Sequence, residues 1–202
     1  MKKILLLISS TLLFAININD IKKLYYKSYD YEKMQDYKDA IKVLIPLYNK
    51  YPKGYTLNLR LAYLFYLNKN YKNAIKHYKT ASLYYPSSIE AKLGLMKTYY
   101  ALSDFNNILK IGNELLRVDY YNFYGNYYEI LGLIGIKDYK TAISITNKMI
   151  ALYPTSVLYL STLGEIYSLT NQKDKAKTTF ENVLILDPNN VKAKEFLNKW
   201  KL

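Results

Sequence analysis

Residues 55–88 read YTLNLRLAYLFYLNKNYKNAIKHYKTASLYYPSS, and this stretch decides the fold. Leu57, Leu61, Leu64 and Phe65 fall at i, i+4, i+7 and i+8, one face of a helix. Asn70 interrupts that helix and predicts an N-cap for a second one. Tyr71, Ala74, Ile75, Tyr78 and Ala81 form the buried stripe of the second helix, and Pro86 ends the unit because proline cannot continue a helix. The stretch is a helical hairpin whose arms, about a dozen residues each, are marginal alone in water.

The hairpin returns in both directions at a step of 34 residues. Pro52, Pro86, Pro154 and Pro188 share one register, with Tyr120 at the odd node. Ala40, Ala74, Ala142 and Ala176 share a second, broken by Ile108. Asp36, Asn70, Asp104 and Asp138 hold the cap register, with Gln172 a weaker substitute. A repeat of this length means hairpins stacked side by side, each burying the face its neighbour exposes. The units are residues 21–54, 55–88, 89–122, 123–156 and 157–190, and residues 191–202 read as one more helix. Phe196, Leu197 and Trp200 are expected to cover the open end of the fifth unit while Lys192, Lys194 and Lys199 face water.

On these residues the chain resembles the tetratricopeptide repeat (TPR) family over about 180 of its 202 positions. The family favours a small residue at repeat position 8, Ala at 20, large residues at 4, 7, 11, 17 and 24, and Pro at 32. Position 8 here reads Ser28, Ala62, Met96, Ile130 and Gly164, and position 17 reads Tyr37, Tyr71, Phe105, Tyr139 and Lys173. The resemblance implies an all-α, right-handed solenoid of about five hairpins with a C-terminal capping helix. The third unit departs most: Ile108 stands for a small residue, Gly112 for a large one, and Tyr120 for Pro. Bulky-for-small and small-for-bulky exchanges one turn apart are expected to offset each other. The fourth unit, with Ile130 and Thr146, is similarly atypical.

The first residues read as an address. Lys2 and Lys3 precede an apolar run from Ile4 to Phe14, and Ala15 offers a small residue for cleavage, the pattern of a secretory signal over residues 1–15. The run is shorter than the ~20 residues a bilayer span requires. Leu13 is bulky for its place before the cut, so an uncleaved anchor is the alternative, and it would be the one membrane contact. With no cysteine there is neither a disulfide nor a lipid-modified cysteine, and a bacterial periplasmic or secreted location is expected.

The chain carries a formal charge of +13, concentrated in residues 21–88. A basic front half suits an acidic protein, an anionic glycan or a lipid surface. AT-rich coding is the competing explanation, since 27 of the 29 basic residues are Lys. So few Arg, together with export, argue against nucleic acid as a partner.

Nothing in the sequence spells catalysis. There is no zinc spacing, phosphate loop or nucleophile elbow, and no cofactor is expected. His77, the one histidine, reads as a solvated surface residue. The remaining signal is 25 tyrosines. In the resembled family first-helix positions line a concave face, which here implies Tyr25, Tyr29, Tyr63, Tyr66, Lys97, Tyr100, Tyr124 and Tyr127 as a partner-binding groove. The fifth unit would add Leu158, Ser161, Glu165 and Ser168. Tyrosine offers a rigid apolar plate with a hydrogen-bonding tip, suited to an extended peptide or a sugar face. The same AT-rich coding also raises tyrosine everywhere, so both readings stand. The Lys, Asn and Arg clamp by which cytosolic chaperone-binding members hold a carboxylate is not formed, because Tyr25, Tyr29 and Ala101 occupy its places beside Lys97. The expected function is a non-catalytic exported scaffold binding an envelope protein or peptide segment. A carbohydrate-associated factor in polysaccharide export, or self-assembly through the N-terminal end, are the other readings.

Overall fold

The computed structural model describes residues 17–199. Residues 1–15, read from the sequence as a signal, and Trp200, expected to cap the array, lie outside them. The described residues form twelve α-helices and no strand. The chain divides into two compact units, one ending at Pro52 and the other beginning at Lys53.

In the N-terminal unit α1 (Ile18–Lys33) starts from a capping box: the Asn17 side chain accepts from the Asn19 and Asp20 N–H groups, and Asp20 returns a bond to the Asn17 N–H. The second arm is split into α2 (Tyr37–Lys42) and α3 (Ile45–Lys50). Pro46, off the repeating register, explains the break, since it has no N–H to give to the preceding turn. Ser28 and Leu44 are fully buried in this unit.

The second unit holds α4 (Tyr55–Leu67) with α5 (Tyr71–Tyr84), α6 (Ile89–Ala101) with α7 (Phe105–Leu116), α8 (Phe123–Gly135) with α9 (Tyr139–Leu152), and α10 (Val157–Leu169) with α11 (Lys173–Leu186). The last helix, α12 (Val191–Lys199), packs on α11. Within each hairpin the turn is the same. At the first, the Asn70 N–H reaches the Phe65 carbonyl at 2.8 Å and the Lys69 N–H reaches Tyr66 at 2.9 Å. That closure demands a left-handed residue, found at Lys69, Ser103, Lys137 and Asn171 with φ between 55° and 64°. Gln35 of the N-terminal unit matches them at φ 60°. These five sit on the 34-residue grid, yet none is glycine.

The residue after each turn caps the next helix. Asp36, Asn70, Asp104 and Asp138 each accept from a backbone N–H three residues on, at 3.1–3.3 Å. Gln172 does not cap at all. Its longer side chain carries the amide past the helix end to Thr170 Oγ1, while its carbonyl takes Lys175 Nζ. Tyr120 in place of proline leaves the turn between hairpins intact, because the Asn122 N–H bonds to the Asp119 carbonyl and Asn126 Nδ2 holds the Tyr120 carbonyl.

The departures in the third repeat are compensated, but not by each other. Met96 fills the place left by Gly112, whose Cβ would stand 3.0 Å from Met96 Cε. Ile108 instead faces Gly132 of the following hairpin, where a Cβ would meet Ile108 Cγ2 at 3.1 Å. In the fifth repeat the order is reversed, and a Cβ on Gly164 would lie 2.9 Å from the Phe180 ring. At the C-terminal end Phe196 packs at a tilt against Phe180 with centroids 4.8 Å apart, and Ala193 and Leu197 join that cluster. Lys194 and Lys199 are exposed; Lys192 is exposed too but pairs with Glu165 at 3.0 Å.

Candidate functional site: a tyrosine-lined cleft

The first helices α4, α6 and α8 lie beside one another in the second unit. Their shared face places Tyr63, Lys97 and Tyr124 around one cleft of about 350 Å³, together with Leu59, Leu93 and Tyr128. The floor has a specific cause. Gly94 of α6 lacks a side chain, and the Tyr78 ring occupies the space, 2.3 Å from where a Cβ would be. Tyr78 comes from the second helix α5, and Glu90 of α6 completes the lining.

Lys97 Nζ sits 4.7 Å from the centroid of the Tyr66 ring, within cation–π range. Tyr66 itself leans on Tyr71 at 5.8 Å. Burial, with Tyr71 and Tyr63 nearby, raises its phenol above the ordinary value. Burial pushes Tyr128 up to about 12 and moves Tyr78 further in the same direction. All three hydroxyls stay protonated at neutral pH, so they act as hydrogen-bonding tips and not as bases.

Tyr100 meets Tyr128 edge-on at 6.3 Å, and Tyr127 lies 5.6 Å from Tyr128. Tyr127 also touches Tyr159, a fully buried tyrosine whose hydroxyl donates to the Phe123 carbonyl at 2.5 Å. Tyr127 and Tyr159 are therefore bound into the packing between α8 and α10. Of the residues expected from the fifth repeat, Ser161 is buried and Glu165 holds Lys192. Tyr25 and Tyr29 sit on α1 in the N-terminal unit, half-buried and exposed.

His77 corrects its sequence reading. It is buried at 5 % exposure, with Nδ1 2.8 Å from Asn58 Oδ1 and its ring stacked on Phe65 at 5.3 Å. Burial, aided by Lys76, lowers its pKa to about 4, so the imidazole is neutral. Its partner Asn58 lies on the other arm, which no local pattern reveals. Glu129 was also missed: its Oε2 is buried without a hydrogen-bond partner among the described residues, and burial raises its pKa. Tyr78, Glu90 and Tyr128 were missed for a similar reason. The signal for them was Gly94, a glycine in the interior of a helix.

Among the described residues no group of three or more His, Cys, Asp or Glu could hold a metal ion. What the cleft offers is aromatic surface, one cation and one carboxylate, which is the chemistry of binding.

The family model for the tetratricopeptide repeat matches residues 56–88 and 160–190. No curated protein matches the sequence. Among solved structures, a tetratricopeptide repeat protein from Parabacteroides merdae is similar at TM-score 0.78 and 20% identity, over 87% of this chain and 70% of that one. A thermophilic TPR protein of Thermus thermophilus is similar at TM-score 0.69 and 15% identity, over 90% and 99%. YrrB, described as a TPR protein with an unusual peptide-binding site, is similar at TM-score 0.70 and 12% identity, over 89% and 91%. At these identities the likeness is one of fold.

Proposed function

Because the chain belongs to the tetratricopeptide repeat family, we propose that it is an interaction scaffold whose tyrosine-lined cleft seats a segment of another protein. The cleft carries this reading. Tyr63 and Tyr124 line the cleft and stay 37 % and 57 % exposed, so they keep apolar area for a partner to cover. The peptide-binding site ascribed to YrrB is in keeping with such a use of the fold. The basic, then apolar N-terminal run supports export, which makes a cell-envelope protein the partner.

A photo-crosslinker placed at position 63 or 124 in the native cell is expected to trap a discrete partner. Tyr63→Ala with Tyr124→Ala should remove that product while leaving the melting temperature within a few degrees, since both side chains are exposed. Undiminished capture would count against the cleft. Sequencing the N-terminus of the protein recovered from the envelope fraction tests export, and recovery in the cytosol with Met1 intact would refute it.

A further inference from the structure

Two charges frame the cleft, and neither forms an ion pair among the described residues. Glu90 is exposed near the start of α6, and Lys97 lies over the Tyr66 ring. With Gly94 they occupy i, i+4 and i+7, one face of one helix. The helical rise separates the two charges by about 10.5 Å along the axis. The missing side chain between them opens the gap onto the Tyr78 floor, with Tyr63, Tyr124 and Tyr128 as walls.

Resting on the reading of this cleft as a docking site, we infer that it selects a dipolar peptide. Its basic residue stands over Glu90, two apolar residues lie against the tyrosines, and its acidic residue meets Lys97. The spacing points to a polyproline-II backbone. With three residues per turn and a rise of about 3.1 Å, residues three apart point the same way at about 9.3 Å. A β-strand returns a side chain to the same face every second residue, at about 6.6 Å or 13 Å, and fits the gap poorly. Aromatic-lined grooves suit the polyproline form, which is already ordered before binding.

The test uses the full chain and four labelled peptides, read by fluorescence anisotropy. Their cores are Lys-Pro-Leu-Glu, the reversed Glu-Leu-Pro-Lys, the adjacent-charge Lys-Glu-Pro-Leu and the neutral Gln-Pro-Leu-Gln. One of the two spaced orders is expected to bind roughly fivefold tighter than the adjacent-charge and neutral peptides, as two screened ion pairs allow. That preference should shrink at about 1 M salt. Exchanging the charges by Glu90→Lys with Lys97→Glu should exchange which spaced order is preferred. Four affinities within about twofold, no binding by any peptide, or an unchanged order in the charge-exchanged protein would each overturn the inference. If the charge pattern proves irrelevant but Tyr63→Ala with Tyr124→Ala still abolishes binding, the cleft stands as a seat and only its charge selection falls. Binding indifferent to those tyrosines would remove the seat as well.

Discussion

Hairpin α10–α11 and hairpin α6–α7 fill the same inter-helix contact from opposite sides. In α10–α11 the small partner is Gly164 on the first helix and the bulk is Phe180 on the second; in α6–α7 the bulk is Met96 and the gap is Gly112. Repeats two and four follow suit. Ala62 with Tyr78 is small-then-large, Ile130 with Thr146 is large-then-small, and all four are buried. What the fold conserves is the volume across the contact, not which arm supplies it. The family model matches only the two repeats of the second unit with the small residue first.

Removing the bulk tests this most severely. Phe180→Ala should cost about 3–5 kcal/mol by denaturant unfolding, as buried aromatic truncations do. Adding Gly164→Leu moves the bulk to the other arm and should recover about 1–3 kcal/mol. No recovery would break the equivalence of the two hairpins.

A second contrast is chemical. Repeat two buries His77 at the register position where repeat three buries Ile111 and repeat four has the half-buried Ile145. The folded imidazole pKa is lowered to about 4, while the unfolded chain titrates near the ordinary value of 6.5. Between those values the unfolded state takes up a proton that the folded state refuses, so stability falls as pH drops from about 6.5 to about 4 and then levels. The loss is on the order of 2 kcal/mol, discounted for partial solvent screening. His77→Gln should flatten that part of the profile relative to wild type in unfolding measured across the range. An unchanged slope would mean that the histidine is not held neutral.

The glycines sharpen the comparison. Gly164→Ala meets a rigid ring at 2.9 Å, whereas Gly112→Ala meets the flexible end of Met96 at 3.0 Å. The first should cost about 1–3 kcal/mol. The second should come out near neutral, because methionine yields and alanine favours the helix. Equal thermal shifts would show that the nature of the bulky partner does not matter.

The caps and turns give the smallest effects. Asp138→Ala should lose about 1 kcal/mol, and Gln172→Asp should gain up to about as much by supplying the missing cap. Lys137→Gly should add about 0.5–1 kcal/mol by relieving its left-handed backbone, and Asn171→Gly less, because asparagine tolerates that region. Melting curves of the four variants decide each.

The architecture was legible because its signals are local and repeat. A proline, a capping oxygen and an alanine every 34 residues need no tertiary knowledge. The left-handed turns escaped notice because lysine, serine and glutamine stand where glycine would have announced them. The cleft was half legible: Tyr63, Lys97 and Tyr124 follow from first-helix positions, but Tyr78 reaches it from the preceding second helix. His77 was misread because burial depends on a neighbour 19 residues away. The pairing of Met96 with Gly112 crosses between arms, so the near exchange of Ile108 with Gly112 was the tempting and mistaken choice.

The Tyr78 ring resting on Gly94 gives the cleft a mechanical consequence. Its floor belongs to one hairpin, its long wall to the next, and Tyr124 and Tyr128 to a third, so an occupant would fasten three successive repeats like a clip. Saturating guest at about a hundred times its dissociation constant would hold the array against melting by about 2.7 kcal/mol. A thermal-shift assay would register that gain before the guest is identified.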